Sequence, residues 1–222
     1  MSPKVVIVVP VRADPTAVPR LIEPLGPKSA LERTLAHALT AGDDIPVVLA
    51  TDDQDLRRFV QERLPRVICH PRTAKDYVAA VNEAVAATAK DAEIVAILEA
   101  THPYRPKALV ARTIQNLIAS PEFDSVIAVE QRHGHVWREA TRGDLRELLG
   151  PEGNEEPTVY FEQRGMALAT RRKILMGGHR VGRNVAFEVI ERIWTLADLK
   201  DSPGTEFARL LAPHVETWET QA

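Results

Sequence analysis

Three cations, Arg12, Arg20 and Lys28, fall within seventeen positions in the stretch PVRADPTAVPRLIEPLGPKS, residues 10–29. A guanidinium grips phosphate oxygens as a two-pronged fork, and an ammonium offers a compact point charge. Such a set suits the phosphates of a nucleotide. The stretch holds neither Gly-x4-Gly-Lys-Ser/Thr nor GxGxxG, so the ordinary phosphate-loop and dinucleotide fingerprints are absent. Arg12 directly follows the apolar run VVIVVPV, and a strand buried on both faces seldom ends in a cation without a partner. Arg20 and Lys28 read equally well as a solvated basic loop. Glu99 continues the apolar run AEIVAILEA and therefore needs a partner or a ligand. Asp52 and Asp53 close the run IPVVLATDD, where a carboxylate serves a ligand or caps the next helix. His133 and His135 are two apart with no third ligand in view, which does not make a zinc site.

These residues need a scaffold, and the pattern supplies one. Apolar runs at 5–11, 45–53, 66–71, 92–100 and 124–132 alternate with helical patterns at 29–42, 54–65, 74–90 and 106–120. Strands alternating with helices imply βαβ units and a mostly parallel sheet, whose ligands sit at the carboxyl ends of the strands. That rule puts Arg12, Thr51–Asp53 and Glu99–Arg105 on one rim. The alternation stops after Arg132. GDLRELLGPEGNEEP, 143–157, reads as a mobile loop or flap. TVYFEQRGMALATRRKIL reads as a strand and a helix start, and NVAFEVIERIWTLADLK as a strand running into a helix.

The chain of 222 residues has a formal charge of −3 and one cysteine, Cys69. The balance argues against a nucleic-acid surface, and the cysteine count excludes an internal disulfide. No run reaches membrane-span length. The expectation is a cytoplasmic protein with neither nucleic-acid nor membrane partner.

The motifs, taken in order, resemble those of the CMP-sugar synthetases, the CMP-acylneuraminate and CMP-KDO synthetases and their cytidylyltransferase relatives. Pro10-Val11-Arg12, Val18-Pro19-Arg20 and Gly26-Pro27-Lys28 are similar to the family's first loop. ATDDQDL, LEATHPYRP, DSVIAVEQRHGHVW and VYFEQRGMALATRRKIL are similar to four later motifs. The resemblance implies an α/β fold: a nucleotide-diphosphosugar-transferase-like Rossmann variant, a mostly parallel sheet with a small second lobe. It implies one domain over 1–222, with a nucleotide-binding core at 1–132, a flap and dimerisation lobe at 133–180 and a C-terminal strand and helices at 181–222.

By the same resemblance Arg12, Arg20 and Lys28 carry catalysis, and Pro10, Val11, Arg12, Arg20, Thr51 and Asp53 hold the nucleotide. Glu99, Thr101, Arg105, Glu162, Gln163 and Arg164 face the acceptor. The implied partners are CTP, a small anionic acceptor (an acidic sugar, phosphate or phosphonate) and a second copy in a homodimer. The family also implies Mg2+, but its C-terminal Asp pair falls at Arg192 and Trp194, so no metal ligand is assigned. The family's small, permissive phosphate loop is replaced by Ala13-Asp14-Pro15-Thr16. A cytidylyltransferase is the leading expectation. Its alternative is a homologue that has lost turnover and serves as a nucleotide-binding or scaffold subunit.

Overall fold

The computed structural model describes residues 3–142, 144–150 and 156–220. Strand β1 (Val5–Val11) leads into a short helix α1 (Ala17–Ile22), a two-residue-stranded hairpin β2 (Pro24–Leu25) and β3 (Lys28–Ser29), and helix α2 (Ala30–Leu39). Next come β4 (Val47–Thr51), α3 (Gln54–Arg63), β5 (Ile68–Pro71), α4 (Tyr77–Thr88), β6 (Ile94–Ile97) and α5 (Leu109–Ala119). The second half holds β7 (Ser125–His133), β8 (Val136–Thr141), β9 (Asp144–Leu149), β10 (Thr158–Glu162), β11 (Leu168–Arg171), α6 (Arg172–Met176) and β12 (Val185–Val189). A 3-10 turn (Ile193–Leu196) and α7 (Ser202–Thr220) finish it.

The main sheet has eight strands in the order β10-β7-β11-β6-β1-β4-β5, with β12 also paired to β7. The β1–β4, β1–β6, β4–β5 and β7–β12 pairs are parallel. Strand β11 runs antiparallel between β6 and β7. The mostly parallel sheet thus matches the expectation.

Strand β1 shows why the sequence folds this way. Val6 to Val9 have no exposed surface. Ile7, Val9 and Val11 enter one core with Leu31, Leu35, Leu56 and Leu109, while Val6 and Val8 enter another with Val81 and Val85. Alternate side chains of one strand supply both faces, which a continuous apolar run permits and an alternating one does not. Ser29 closes a reciprocal capping box with Glu32 at the start of α2.

Three readings need correction. Residues 144–149 of the expected loop form β9, which pairs antiparallel with β8; Gly143 and residues 151–155 lie outside the described residues. The ribbon is open to water, with its polar side chains and also Trp137, Leu145 and Leu149 exposed. Leu168–Arg171 adds a second strand ahead of the expected helix start, which is α6, because the gap between β6 and β7 gives its backbone partners on both edges. Helix α1 lies inside the expected proline loop, and Pro19 is tolerated there because its missing N–H falls in the first turn. Among the described residues no helix is long and apolar enough to cross a membrane.

Candidate active site

The carboxyl ends of β1 and β6 open onto a cavity of about 440 Å3. From β1 and the loop after it come Pro10, Val11, Arg12 and Asp14, and from α1 come Ala17 and Leu21. From the loop before α4 come Arg72 and Lys75, and Tyr77 begins that helix. Glu99, Ala100 and Thr101 follow β6, while Arg164 and Lys200 arrive from the second half of the chain. Five cations and two carboxylates line it, a balance that favours a polyanion.

Each wall has a local cause. Asp14 Oδ1 accepts from Thr16 N at 2.8 Å, Thr16 Oγ1 at 2.7 Å and Ala17 N at 3.0 Å, and so closes the start of α1. These bonds, led by the Thr16 hydroxyl, hold its carboxyl below the usual range. Asp52 accepts from Ala13 N at 2.5 Å and ties the same loop to β4. Arg72 is spent on its own loop, donating to Ala74 O and Lys75 O at 2.9 Å each, which presents Lys75. Burial pushes the Tyr77 hydroxyl well above its ordinary pKa, so it remains a donor.

The break between β10 and β11 delivers Arg164. Gln163 N donates to Ala128 O at 2.9 Å, and the chain turns at Gly165 with φ of +90°. A Cβ on Gly165 would lie 2.6 Å from the Glu99 side chain, so this turn requires glycine twice over. Arg164 Nε then stands 3.7 Å from Glu99 Oε1, with its guanidinium 5.6 Å from the Tyr77 ring centre. Thr101 Oγ1 is buried without a hydrogen-bond partner among the described residues, an orphan that a ligand oxygen or N–H would satisfy.

The cavity gathers Pro10, Val11, Arg12, Glu99, Thr101 and Arg164 from the expected set. It does not gather the others. Arg105 was expected to face the acceptor, yet it is fully buried. Its Nε donates to Met166 O and its Nη1 to Thr34 Oγ1 and His102 O, each at 2.6 Å; its Nη2 donates to Gly165 O at 3.0 Å and to Glu99 O. It ties the turn at Arg164 to the loop after β6. Desolvation pulls its pKa to about 9, against the pull of Glu99 and Asp198, and leaves it charged at neutral pH.

Arg20 is absent from the cavity lining and donates to the backbone of a residue that lines it, Lys200 O at 3.1 Å. Lys28 lies exposed on the β2–β3 hairpin. Thr51 is buried and accepts from Asp53 N at 3.2 Å, while Asp53 caps α3 by accepting from Leu56 N at 2.9 Å. Glu162 pairs with Arg180 at 2.6 Å, and Gln163 Nε2 donates to Glu130 Oε2 at 3.2 Å, both beside the cavity. Apart from Lys28, these side chains are held by the fold, and strand-end position alone could not reveal it.

The positions resembling the family's Asp pair lie elsewhere. Trp194 and Arg192 line a second cavity of about 500 Å3 between the start of α5 and the end of β12, with Arg192 5.3 Å from the Trp194 ring centre. Glu188 there is committed to Arg112 Nε at 3.2 Å and Asn116 Nδ2 at 3.3 Å. Glu99 is held by Arg164 and by Lys200 at 3.5 Å. Among the described residues no group of three or more His, Cys, Asp or Glu side chains converges as metal ligands. Glu188 is engaged by Arg112 and Glu99 by Arg164 and Lys200, so neither carboxylate stands free for the magnesium that the resemblance implies.

Sequence reasoning missed Lys75, Tyr77, Asp198 and Lys200. His102 is buried beside Asp198, its Nε2 2.9 Å from Arg164 O and 3.7 Å from Asp198 Oδ2. Burial first, then the charge of Arg105, lowers its pKa to about 4, so the ring is neutral and donates to the carbonyl.

The family profile of the MobA-like NTP transferase domain matches residues 16–164. The chain belongs to this family. It is thus a nucleotidyltransferase. No curated protein matches the sequence. Among solved structures, 4-diphosphocytidyl-2C-methyl-D-erythritol synthase from Anaerococcus prevotii DSM 20548 is similar with a TM-score of 0.70 at 15% identity, over 96% of this chain and all of that one. CMP:2-keto-3-deoxy-manno-octonic acid synthetase complexed with CTP is similar with a TM-score of 0.66 at 16% identity, over 84% of this MobA-like chain and 90% of that one. At such identities the likeness is one of fold.

Proposed function

We propose that the protein transfers the CMP unit of CTP to a small anionic acceptor. An acceptor oxygen attacks the α-phosphorus, a P–O bond forms, the bond to the β-phosphate oxygen breaks, and pyrophosphate leaves. Such chemistry asks a protein chiefly for positioning and for positive charge near the phosphates. The observation that carries the reading is the cavity at the ends of β1 and β6, which Arg12, Lys75, Arg164 and Lys200 line together with Thr101. Cytidine is favoured by the sequence motifs and by two structural neighbours whose names carry cytidylyl chemistry.

In this reading Arg12 and Lys75 face the phosphates, Arg164 and Thr101 face the acceptor side, and Tyr77 donates a hydrogen bond. A homodimer through the β8–β9 hairpin belongs to the same proposal. Trp137, Leu145 and Leu149 of that hairpin are 46–62% exposed, an apolar surface suited to a partner. A cytoplasmic setting is supported by the single cysteine, as expected in a reducing compartment.

The test is calorimetric binding of CTP, UTP, ATP and GTP, followed by pyrophosphate release with a panel of acidic sugars, phosphates and phosphonates. CTP is expected to bind tightest, and Arg12→Ala to weaken it by about 1.5–3 kcal/mol with the melting temperature unchanged. Equal binding of all four nucleotides would remove the cytidylyl assignment. Tight CTP binding without pyrophosphate release from any acceptor would favour the nucleotide-binding subunit instead.

A further inference from the structure

Lys200 lines the phosphate cavity from an unexpected quarter, the segment between the 3-10 turn and α7. Its ammonium is 3.0 Å from Asp198 Oδ2 and 3.5 Å from Glu99 Oε2. Two carboxylates from distant parts of the sequence thus converge on one nitrogen. Their side chains are only 16% and 28% exposed, against 50% for Lys200, and Glu99 lines the cavity with Lys200 while Asp198 lies outside its lining.

The segment is fixed at four points. Arg20 Nη1 donates to Lys200 O at 3.1 Å, Lys200 N to Asp198 Oδ1 at 3.3 Å, and Leu199 N to Thr101 O at 2.9 Å. The Leu199 side chain is buried in a cluster with Leu25, Tyr104 and Ala208. Lysine has a flexible stem, and its placement here comes from this anchored backbone and from the carboxylate pair. An ammonium has three donors. The ammonium meets the two carboxylates at ion-pair distance, which leaves donor capacity for a phosphate oxygen.

We propose that Lys200 is a tethered cation of the phosphate site: its ammonium occupies the seat between Glu99 and Asp198 and supplies there the positive charge that a carboxylate-held divalent metal would otherwise bring. The inference rests on the nucleotide reading above and explains why the protein's carboxylates are not free to build a metal site. It also gives Arg20 a function, that of positioning Lys200 through its carbonyl rather than gripping phosphate.

Two readouts test it on the full chain. Manganese binding to the nucleotide-free protein is followed by electron paramagnetic resonance, and CTP affinity is measured by calorimetry in EDTA and in magnesium. Lys200→Met frees the carboxylate pair, so it is expected to bind Mn2+ at least about tenfold more tightly than the wild type. The same variant is expected to lose roughly tenfold or more in CTP affinity in EDTA, the scale of one lost charge-assisted hydrogen bond, while Lys200→Arg retains most of it. Lys200→Gln repeats both measurements with a polar neutral side chain, and melting curves verify folding. Equal Mn2+ binding by wild type and Lys200→Met would overturn the occupied seat, and unchanged CTP affinity would overturn the phosphate role. A wild-type chain that binds no nucleotide under either condition would overturn the nucleotide reading and the phosphate role with it, while the Mn2+ measurement still decides the seat.

Discussion

Replacing Arg105 separates a structural cation from a ligand-binding one. Arg105→Met deletes a fully buried guanidinium that donates to four backbone carbonyls and the Thr34 hydroxyl. Gly165 O keeps its 2.8 Å bond from Glu99 N, and Glu99 O keeps a long one from His102 N at 3.5 Å. Met166 O and His102 O have no such second donor among the contacts around Arg105. A buried polar group left without its partner costs about 1–3 kcal/mol, so the two carbonyls together cost about 2–6 kcal/mol. Burial of the methionine side chain recovers part of this, and about 3–4 kcal/mol is the expected net loss. That is a large share of the roughly 5–15 kcal/mol that stabilises a typical domain. The assay is equilibrium urea unfolding, with Arg105→Lys as an intermediate case because an ammonium has only three donors. A loss under about 1 kcal/mol together with weakened acceptor binding would refute the reasoning and return Arg105 to the acceptor site.

Two buried or half-buried imidazoles make the fold acid-labile. His102 and His37 both have pKa values lowered from 6.5 to about 4, by burial first and by Arg105 second. The neutral rings favour the folded state, so their contribution is complete above pH 6.5 and is lost as pH falls toward 4. The loss amounts to about 3 kcal/mol at His102 and less at His37, which is more open to water. Urea midpoints measured across that interval are expected to fall, and to fall less in His102→Gln; a flat profile would contradict the assignment. Asp53→Ala removes the cap of α3 and is expected to cost about 1 kcal/mol with nucleotide affinity unchanged. A drop in affinity with stability intact would put Asp53 back among the nucleotide ligands.

The sequence by itself determined most strands and helices up to Arg132 and the rim at the ends of β1 and β6. The β-branched run at Val5–Val11, the capping box at Ser29 and Glu32 and the βαβ alternation are local signals, set by side-chain period and backbone sterics within a few residues. They place Arg12 and Glu99 at strand ends, and the cavity contains both. Which other cations join them is not a local property. Arg12 directly follows β1 and Arg105 lies in the loop after β6, both on the rim expected from the sequence, yet one is exposed and the other sealed under the turn at Gly165. Only the antiparallel insertion of β11 between β6 and β7 brings that turn, and Arg164 with it, over the end of β6. Lys200 shows the same limit from the other side. It reads as an ordinary polar residue after TLADL. The bonds of Arg20 and Leu199, spanning 180 and 98 residues, carry it to Glu99. Charge at a site depends on distance in space, and the packing of chain segments far apart in sequence sets that distance here.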